Sequence, residues 1–443
     1  MARNKPKRIL DLPMKEYIAL AVFAIVYVLI VGRIRFKVPI WIAMSIGAVL
    51  MVSLQVIDVK SAAKSIQVDV IVFLFAMFSI ISALDRSGLL KLVAAKMMSK
   101  ARTPELLLMA IVVGMGLLSA FLVNDTLALM GIPLIIYISR HVGARPVVLL
   151  IALAFGITVG SAMTPIGNPQ NLLIALQSGI SLPFTSFLKF LAVPTVVNLF
   201  LTWYVLKIYF KKDLQQMSHN YEDNTMISSV KIENPRLAKI SLAVLLATIA
   251  GFFVSEVLRF LHVIDIDISI VALIGAAALY AASGQRYDIL KSVNYTVLVF
   301  FAAMFVVTGA LWSSGTISLF MKYLPIPNPH DLVQSSAVIS AYSITLGQIL
   351  SNVPFVALYN HVMIANGFTG AHVAQWMMLA ASSTISGNLT ILGAASSIII
   401  IQAAESKGVK AFTFFEFFKI GILVTAVNLA VYYVFIVSLG MLS

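Results

Sequence analysis

Asn124, Asp125 and Thr126 set an amide, a carboxylate and a hydroxyl side by side inside an apolar stretch, and Ser351 and Asn352 restore part of that set in the second half of the chain. A second polar interruption, Thr164-Pro165-Ile166-Gly167-Asn168-Pro169-Gln170-Asn171, has its own later counterpart in Thr390-Ile391-Leu392-Gly393-Ala394-Ala395-Ser396-Ser397. Peptide groups and polar side chains are expensive in hydrocarbon, so broken Gly/Pro/Asn segments persist there only where they line a protein cavity or a bound solute. Unwound carbonyls suit a cation, and the N-terminus of a restarting half-helix suits an anion or polar solute. The solute is therefore assigned to Asn124, Thr126, Asn168, Gln170, Asn171, Ser351, Asn352, Thr390, Ser396 and Ser397. Asp125, Thr164, Gly167, Asn388 and Gly393 are assigned to a coupling ion, H⁺ or Na⁺. A carboxylate at Asp125 must titrate, bind a cation or find a buried partner, and no Lys or Arg lies in the neighbouring apolar stretches. Its alternative role is to cap the helix that follows.

The rest of the chain is built to hold these segments in a bilayer. Of its 443 residues 60% are hydrophobic and 11% charged, with a mean hydropathy of +0.99, which excludes a soluble domain. Apolar runs able to cross roughly 30 Å of hydrocarbon fall near 17–32, 38–57, 68–84, 147–179 and 184–208, then near 240–260, 268–283, 294–311, 374–402 and 413–440. The regions 104–140 and 333–366, centred on Asn124 and Asn352, are expected to fold to mid-membrane and back as re-entrant hairpins. The fold class is thus an all-α polytopic membrane protein. No cysteine is present, which removes disulfides and thiolate metal sites, and no HExxH, GxSxG or paired-Asp motif supports an intramembrane enzyme.

The two halves are related. Phe73, Ala76, Met77, Phe78, Ala83, Leu84, Ser87 and Gly88 recur in constant register as Phe300, Ala303, Met304, Phe305, Ala310, Leu311, Ser314 and Gly315. Five spans and one hairpin per half give an odd number of crossings, so the copies are expected to be inverted repeats, with repeat 1 over 16–210 and repeat 2 over 239–443. A basic tail (1–15) precedes them and a polar linker (211–238) joins them. The net charge of +13 reflects the positive-inside bias and anionic lipid headgroups rather than nucleic acid. Most of the Lys and Arg fall on loops of one side, read as cytoplasmic, and the tail falls opposite. Glu256 and Arg259, one turn apart near a span end, are read as pairing with each other or with water.

The tip Asn-Asp-Thr, Thr-Pro-Ile-Gly-Asn-Pro-Gln-Asn, Ser-Asn-Val-Pro-Phe-Val-Ala-Leu and Gly-Asn-Leu-Thr-Ile-Leu-Gly-Ala-Ala-Ser-Ser, in that order, resemble the ion transporter superfamily. That group contains arsenite permeases, silicon effluxers, citrate and dicarboxylate carriers and some Na⁺/H⁺ antiporters. The resemblance implies a multi-pass protein of the cell membrane and a homodimer without a prosthetic cofactor. In it, a transport domain of both hairpins and both broken helices moves as an elevator against scaffold spans. Dicarboxylate members carry Ser-Asn-Thr at both tips. Here the first tip has gained Asp125 and the second has Val353 in place of the last hydroxyl, which brings the chain closer to the arsenite permease-like branch. The expected function is secondary transport of a small inorganic solute or anion, an arsenite-like oxyacid, coupled to H⁺ or Na⁺. An organic anion (citrate or dicarboxylate) carrier and a Na⁺/H⁺ antiporter are the alternatives.

If both tips face one cavity, cysteines at Thr126 and Val353 in this naturally cysteine-free chain will be joined within one subunit by a short bifunctional thiol reagent. Cross-linking only between subunits, or none under any ligand condition, excludes a shared site.

Overall fold

The computed structural model describes residues 11–32, 36, 38–141, 143–219, 231–317 and 325–442. Among them the regular structure is helical. In chain order the helices are α1 (Asp11–Val31), α2 (Ile40–Ser53), α3 (Val59–Ser65), α4 (Val68–Arg86), α5 (Leu89–Ser99), α6 (Pro104–Leu122), α7 (Asn124–His141), α8 (Pro146–Ser161), α9 (Pro169–Gln177) and α10 (Pro183–Tyr209). They continue as α11 (Lys211–His219), α12 (Pro235–Phe260), α13 (Ile268–Ala282), α14 (Arg286–Ser292), α15 (Tyr295–Ser313), α16 (Leu332–Leu350), α17 (Asn352–Ala365), α18 (Val373–Ser386), α19 (Ala395–Glu405) and α20 (Phe414–Leu442). Among the described residues, six helices (α4, α6, α10, α12, α15 and α20) combine 18 or more residues with the apolarity needed to cross a membrane. Four shorter apolar helices accompany them: α2, α8, α13 and α19.

The tail expected to extend to Lys15 is shorter, because α1 begins at Asp11, and residues 1–10 lie outside the described ones. The linker expected over 211–238 opens with the helix α11, which buries Leu214 and Met217. Its middle, 220–230, lies outside the described residues. Asn234 then closes the linker by accepting the Leu237 N–H at 3.0 Å, the N-cap of α12.

The chain divides into two compact units, the boundary falling within α4. Unit 1 takes residues 1–75 and 294–326. In it α2 packs against α1 and α15, and Gly47 lies against Val26 and Val307. Unit 2 takes residues 76–293 and 327–443 and contains every candidate site residue. Its middle is formed by α8 and α18, the first halves of the two broken helices. Val148 to Ser161 and Ala374 to Ser386 are buried without interruption, the pattern of helices surrounded by other helices, and α18 carries its polar residues Ser382, Ser383, Thr384 and Ser386 towards its end. Around them α8 meets α6, α7 and α10, and α18 meets α16 and α20.

Small residues set the distance at the α6–α8 contact. A Cβ added at Gly156 would lie 2.7 Å from the Val112 carbonyl oxygen, and one added at Gly160 would meet the backbone of Gly116. The helices therefore touch backbone to backbone, as small-xxx-small interfaces in membranes do. This seats the first tip at the end of α6 directly against the broken helix. Gly160→Val forces the two apart. It is expected to destabilise the protein by about 1–3 kcal/mol, the range for overpacked cores, read as a lower melting temperature in detergent.

Candidate functional site

The regions expected to be hairpins are helix pairs whose turn is one residue long. Between α6 and α7 that residue is Val123, with φ 57°, and between α16 and α17 it is Ser351, with φ 67°. Positive φ at a side-chain-bearing residue costs of order 1–3 kcal/mol and persists only where the surroundings enforce it. The enforcing bonds are the same on both sides. The Asn124 N–H donates to the Gly167 carbonyl at 3.0 Å, and the Asn352 N–H donates to the Gly393 carbonyl at 3.1 Å. Each tip is thereby docked on the break of the helix beside it.

The breaks are local consequences of sequence. Pro165, Gly167 and Pro169 end α8, and Pro169 then serves as the first residue of α9 with Asn168 as its cap. In the second half the chain unwinds over Gly387 to Ala394 and restarts at Ala395. Thr164 Oγ1 donates to the Ala120 carbonyl just before the first tip. Its counterpart Thr390 donates from Oγ1 to Gln348 Oε1 at 2.7 Å, just before the second.

Side-chain bonds divide the predicted site residues into two groups. Asn168 and Asn171 are fully engaged inside the protein. Asn168 Nδ2 donates to Ser161 Oγ at 3.0 Å and Thr384 Oγ1 at 3.1 Å, while its Oδ1 accepts the Asn171 N–H at 2.9 Å. Asn171 Nδ2 donates to the carbonyls of Ser161 and Thr164, both at 3.1 Å, and its Oδ1 accepts from Thr384 Oγ1 at 3.2 Å. These amides hold the break open and fasten it to α18. On the other side Asn352 Oδ1 accepts from Ser386 Oγ at 2.8 Å, Gln348 Nε2 donates to the Ser386 carbonyl at 2.7 Å, and Ser351 Oγ donates to the Gly393 carbonyl at 3.2 Å. Thr384 and Ser386 lie two residues apart on α18, so the two tips and two breaks converge on the end of that one helix.

The second group is buried and unbonded. Asn388 is 0% exposed with neither its Nδ2 nor its Oδ1 partnered, Ser396 and Ser397 are 0% exposed with free hydroxyls, and the Asn124 Oδ1 is likewise orphaned. Buried polar groups are normally satisfied, and each exception needs an explanation such as a ligand. Ser396 and Ser397 sit in the first turn of α19, whose N-cap Ala394 offers no side-chain bond, so first-turn amides are unclaimed as well. The start of α9, by contrast, is closed by Asn168. Asp125 is half-buried in the first turn of α7, and no hydrogen bond or ion pair reaches its carboxylate among the described residues. Thr126 is half-buried beside it, and Gln170 is buried at the start of α9. Helix α19 packs along α7.

Sequence reasoning missed Ser161, Gln348 and Thr384. Isolated hydroxyls in apolar helices commonly bond their own backbone, but Gln348, a lone amide one turn before a tip, was a legible signal. Glu256 and Arg259 do not pair with each other. Arg259 Nε donates to Asp265 at 2.6 Å, and Glu256 accepts from Phe184 and Thr185. They sit one turn apart on α12, but each has a nearer partner off that helix. Phe355, in the first turn of α17 beside the second tip, is buried and stacks on Tyr359 with ring centroids 5.2 Å apart.

Comparisons with known proteins agree with this architecture. An uncharacterised transporter of Mycobacterium tuberculosis is 28% identical over 423 residues, covering 93% of this chain and 96% of the relative. A silicon efflux transporter of Oryza sativa subsp. japonica is 26% identical, covering 81% of this chain and 84% of its own. Among solved structures, the YdaH transporter of Alcanivorax borkumensis superposes with a TM-score of 0.51 at 15% identity, covering 85% of this chain and 87% of that one, which speaks for the fold. The family model for citrate transporters, CitMHS, matches residues 25–381. Family and relatives indicate a transporter rather than an enzyme, multi-pass in the cell membrane, in keeping with the ion transporter superfamily. The chain belongs to the CitMHS citrate transporter family.

Proposed function

We propose that the protein is a secondary active carrier of a small inorganic hydroxy acid or anion, coupled to H⁺ or Na⁺. The observation that carries this reading is the set of buried, unbonded polar atoms that Asn124, Asn388, Ser396 and Ser397 present at the first tip and the second break. It combines acceptors (two amide oxygens) with donors (one amide nitrogen), while the two hydroxyls can act either way. A neutral oxyacid carries O–H groups that donate and oxygens that accept, so it can satisfy both kinds. A fully ionised di- or tricarboxylate only accepts, and it would leave the amide oxygens unpaired beside the Asp125 carboxylate. The silicon efflux relative is consistent with a solute of this class. Citrate is the second reading, favoured by the family match. It requires Asp125 to be neutralised by a cation when the solute binds.

In this reading both hairpins (104–140 and 333–366) and both broken helices (147–179 and 374–402) move as one body, an elevator, against scaffold helices of a homodimer. Support comes from the matched tips, each docked by an N–H to a glycine carbonyl, which suit inverted repeats and tie hairpins to breaks. Asp125 is the coupling group, since a carboxylate with no protein partner in a helix's first turn attracts a cation or a proton. A thermal-shift screen with arsenite, antimonite, phosphate, sulfate, citrate and Na⁺ at two pH values separates the two solute classes, because a ligand of the folded state raises its melting temperature. Stabilisation by citrate alone would overturn the inorganic reading.

Asp125→Asn keeps shape while fixing the charge at zero. It is expected to abolish uphill accumulation in proteoliposomes driven by a pH or Na⁺ gradient while solute exchange continues. Accumulation equal to the parent's, with unchanged pH and Na⁺ dependence, reduces Asp125 to a helix cap.

The two groups of amides predict opposite phenotypes. Asn388→Ala removes atoms bonded only to solute, so it is expected to raise the half-saturation concentration about tenfold, the effect of one lost hydrogen bond, with little change in melting temperature. Asn171→Ala opens the first break and is expected to lower the melting temperature of the solute-free protein. Equal thermal losses in both variants would place Asn388 in the framework.

A further inference from the structure

The span α10 begins at Pro183, and its N-cap Leu182 offers no side-chain oxygen. The missing acceptor arrives from a different helix. Glu256, 3% exposed near the end of α12, accepts the Phe184 N–H through Oε1. Through Oε2 it accepts the Thr185 N–H at 3.1 Å and the Thr185 hydroxyl at 2.6 Å. Around these bonds the Phe184 ring stacks on Phe252 with centroids 4.5 Å apart and meets Phe253 edge-on at 5.9 Å.

The start of α20 solves the same problem differently. Phe412-Thr413-Phe414-Phe415 there echoes Phe184-Thr185-Ser186-Phe187. Glu416 Oε2 accepts the Thr413 N–H at 2.8 Å and its hydroxyl at 2.9 Å, and Thr413 Oγ1 accepts the Glu416 N–H at 3.3 Å. That is a capping box closed within one segment. At α10 the position matching Glu416 is Leu188 and the acid is supplied in trans. Stability of a helix start does not require this, since a Ser or Asp at 182 would suffice. What the trans cap adds is a connection. Helix α12 lies along α13 and meets the α10 region at this point, whereas α10 packs on α8 and α20, among the helices that carry the site.

We propose that Glu256 is a releasable tether between α12 and the site-carrying helices, holding the conformation seen here. The inference rests on the elevator reading above and assigns α12 to the part that stays still. Charge-assisted bonds to a helix N-terminus are about twice as strong as neutral ones, and a buried carboxylate stripped of its donors is costly. The contact is accordingly either made or broken, with little between, as a switching element requires.

Spin labels at Leu129 on α7 and Val254 on α12, in the full-length protein in bilayers, report the separation of the two parts. The parent is expected to show one dominant distance and a minor second one whose share changes with solute or Na⁺. Glu256→Gln, which keeps shape but loses the charge and one acceptor, is expected to raise the ratio of the second population to the first about tenfold, the effect of one charged hydrogen bond. Glu256→Ala combined with Leu182→Asp restores a cap from within α10 without the tether. It is expected to recover the parent's melting temperature while keeping the enlarged second population. Return of the parent's distances in that double variant, or unchanged distances in Glu256→Gln, would show that Glu256 only caps α10, leaving the carrier reading intact. A single distance in the parent under every solute, pH and Na⁺ condition would instead remove the elevator reading, and the tether with it.

Discussion

Backbone amides placed inside a bilayer must find partners within the protein, and that requirement organises the whole of unit 2. Two helix breaks and two one-residue turns expose peptide groups that no lipid can satisfy. They are brought in pairs so that each answers the other: the N–H of Asn124 meets the carbonyl of Gly167, and the N–H of Asn352 meets the carbonyl of Gly393. Glycine is needed at the receiving position for space. A Cβ at Gly167 would strike the backbone of Ser161, and one at Gly393 would lie 3.0 Å from Gln348 Oε1 and from the Ser386 carbonyl oxygen. The tight, buried packing of α8 and α18 follows, since only helices held this closely can keep a strained turn in place.

The two halves satisfy the same constraint with different side chains, and the difference decides which polar atoms stay unbonded. In the first half the amides of Asn168 and Asn171 bond the loose carbonyls of the break, leaving no capacity for a solute. In the second half the tip and break are fastened by Gln348, Ser386 and Thr390. Asn388, Ser396 and Ser397 are then left with polar atoms that nothing in the protein claims. The first break is thus bonded within the protein, whereas the second leaves polar atoms unclaimed.

Much of this was legible in sequence because it depends on residues with extreme conformational or solvation preferences. Pro165, Gly167 and Pro169 cannot continue a helix, and Asn124 and Asn352 cannot face lipid, so the turns at Val123 and Ser351 and the two helix breaks lie where the sequence interrupts its apolar runs. What the sequence withheld was the destination of side-chain hydrogen bonds. The amides of Asn168 and Asn388 are chemically identical. Only the positions of Ser161 and Thr384 show that the first is satisfied, and these depend on how α8 and α18 pack. Glu256 was misread for the same reason. Its position one turn before Arg259 is visible in the chain, whereas its approach to the start of α10 is a tertiary fact.

The charge distribution bears on what the open break can hold. The chain carries 31 Lys and Arg against 18 Asp and Glu, yet among the described residues none pairs with Asp125. The ion pairs that form lie on loops and helix ends, such as Lys91 with Glu233 and Arg145 with Asp213. The excess positive charge serves topology and headgroups and leaves the site with a carboxylate and neutral dipoles. The first-turn amides of α7, α17 and α19 supply partial positive charge near the tips. A fixed multivalent anion pocket would need an Arg or Lys to neutralise its ligand in so dry a place. No such residue reaches the tips among the described residues, so in the proposed carrier charge balance would come from a cation on Asp125 or from a solute that is itself uncharged, such as a neutral hydroxy acid on Asn388, Ser396 and Ser397.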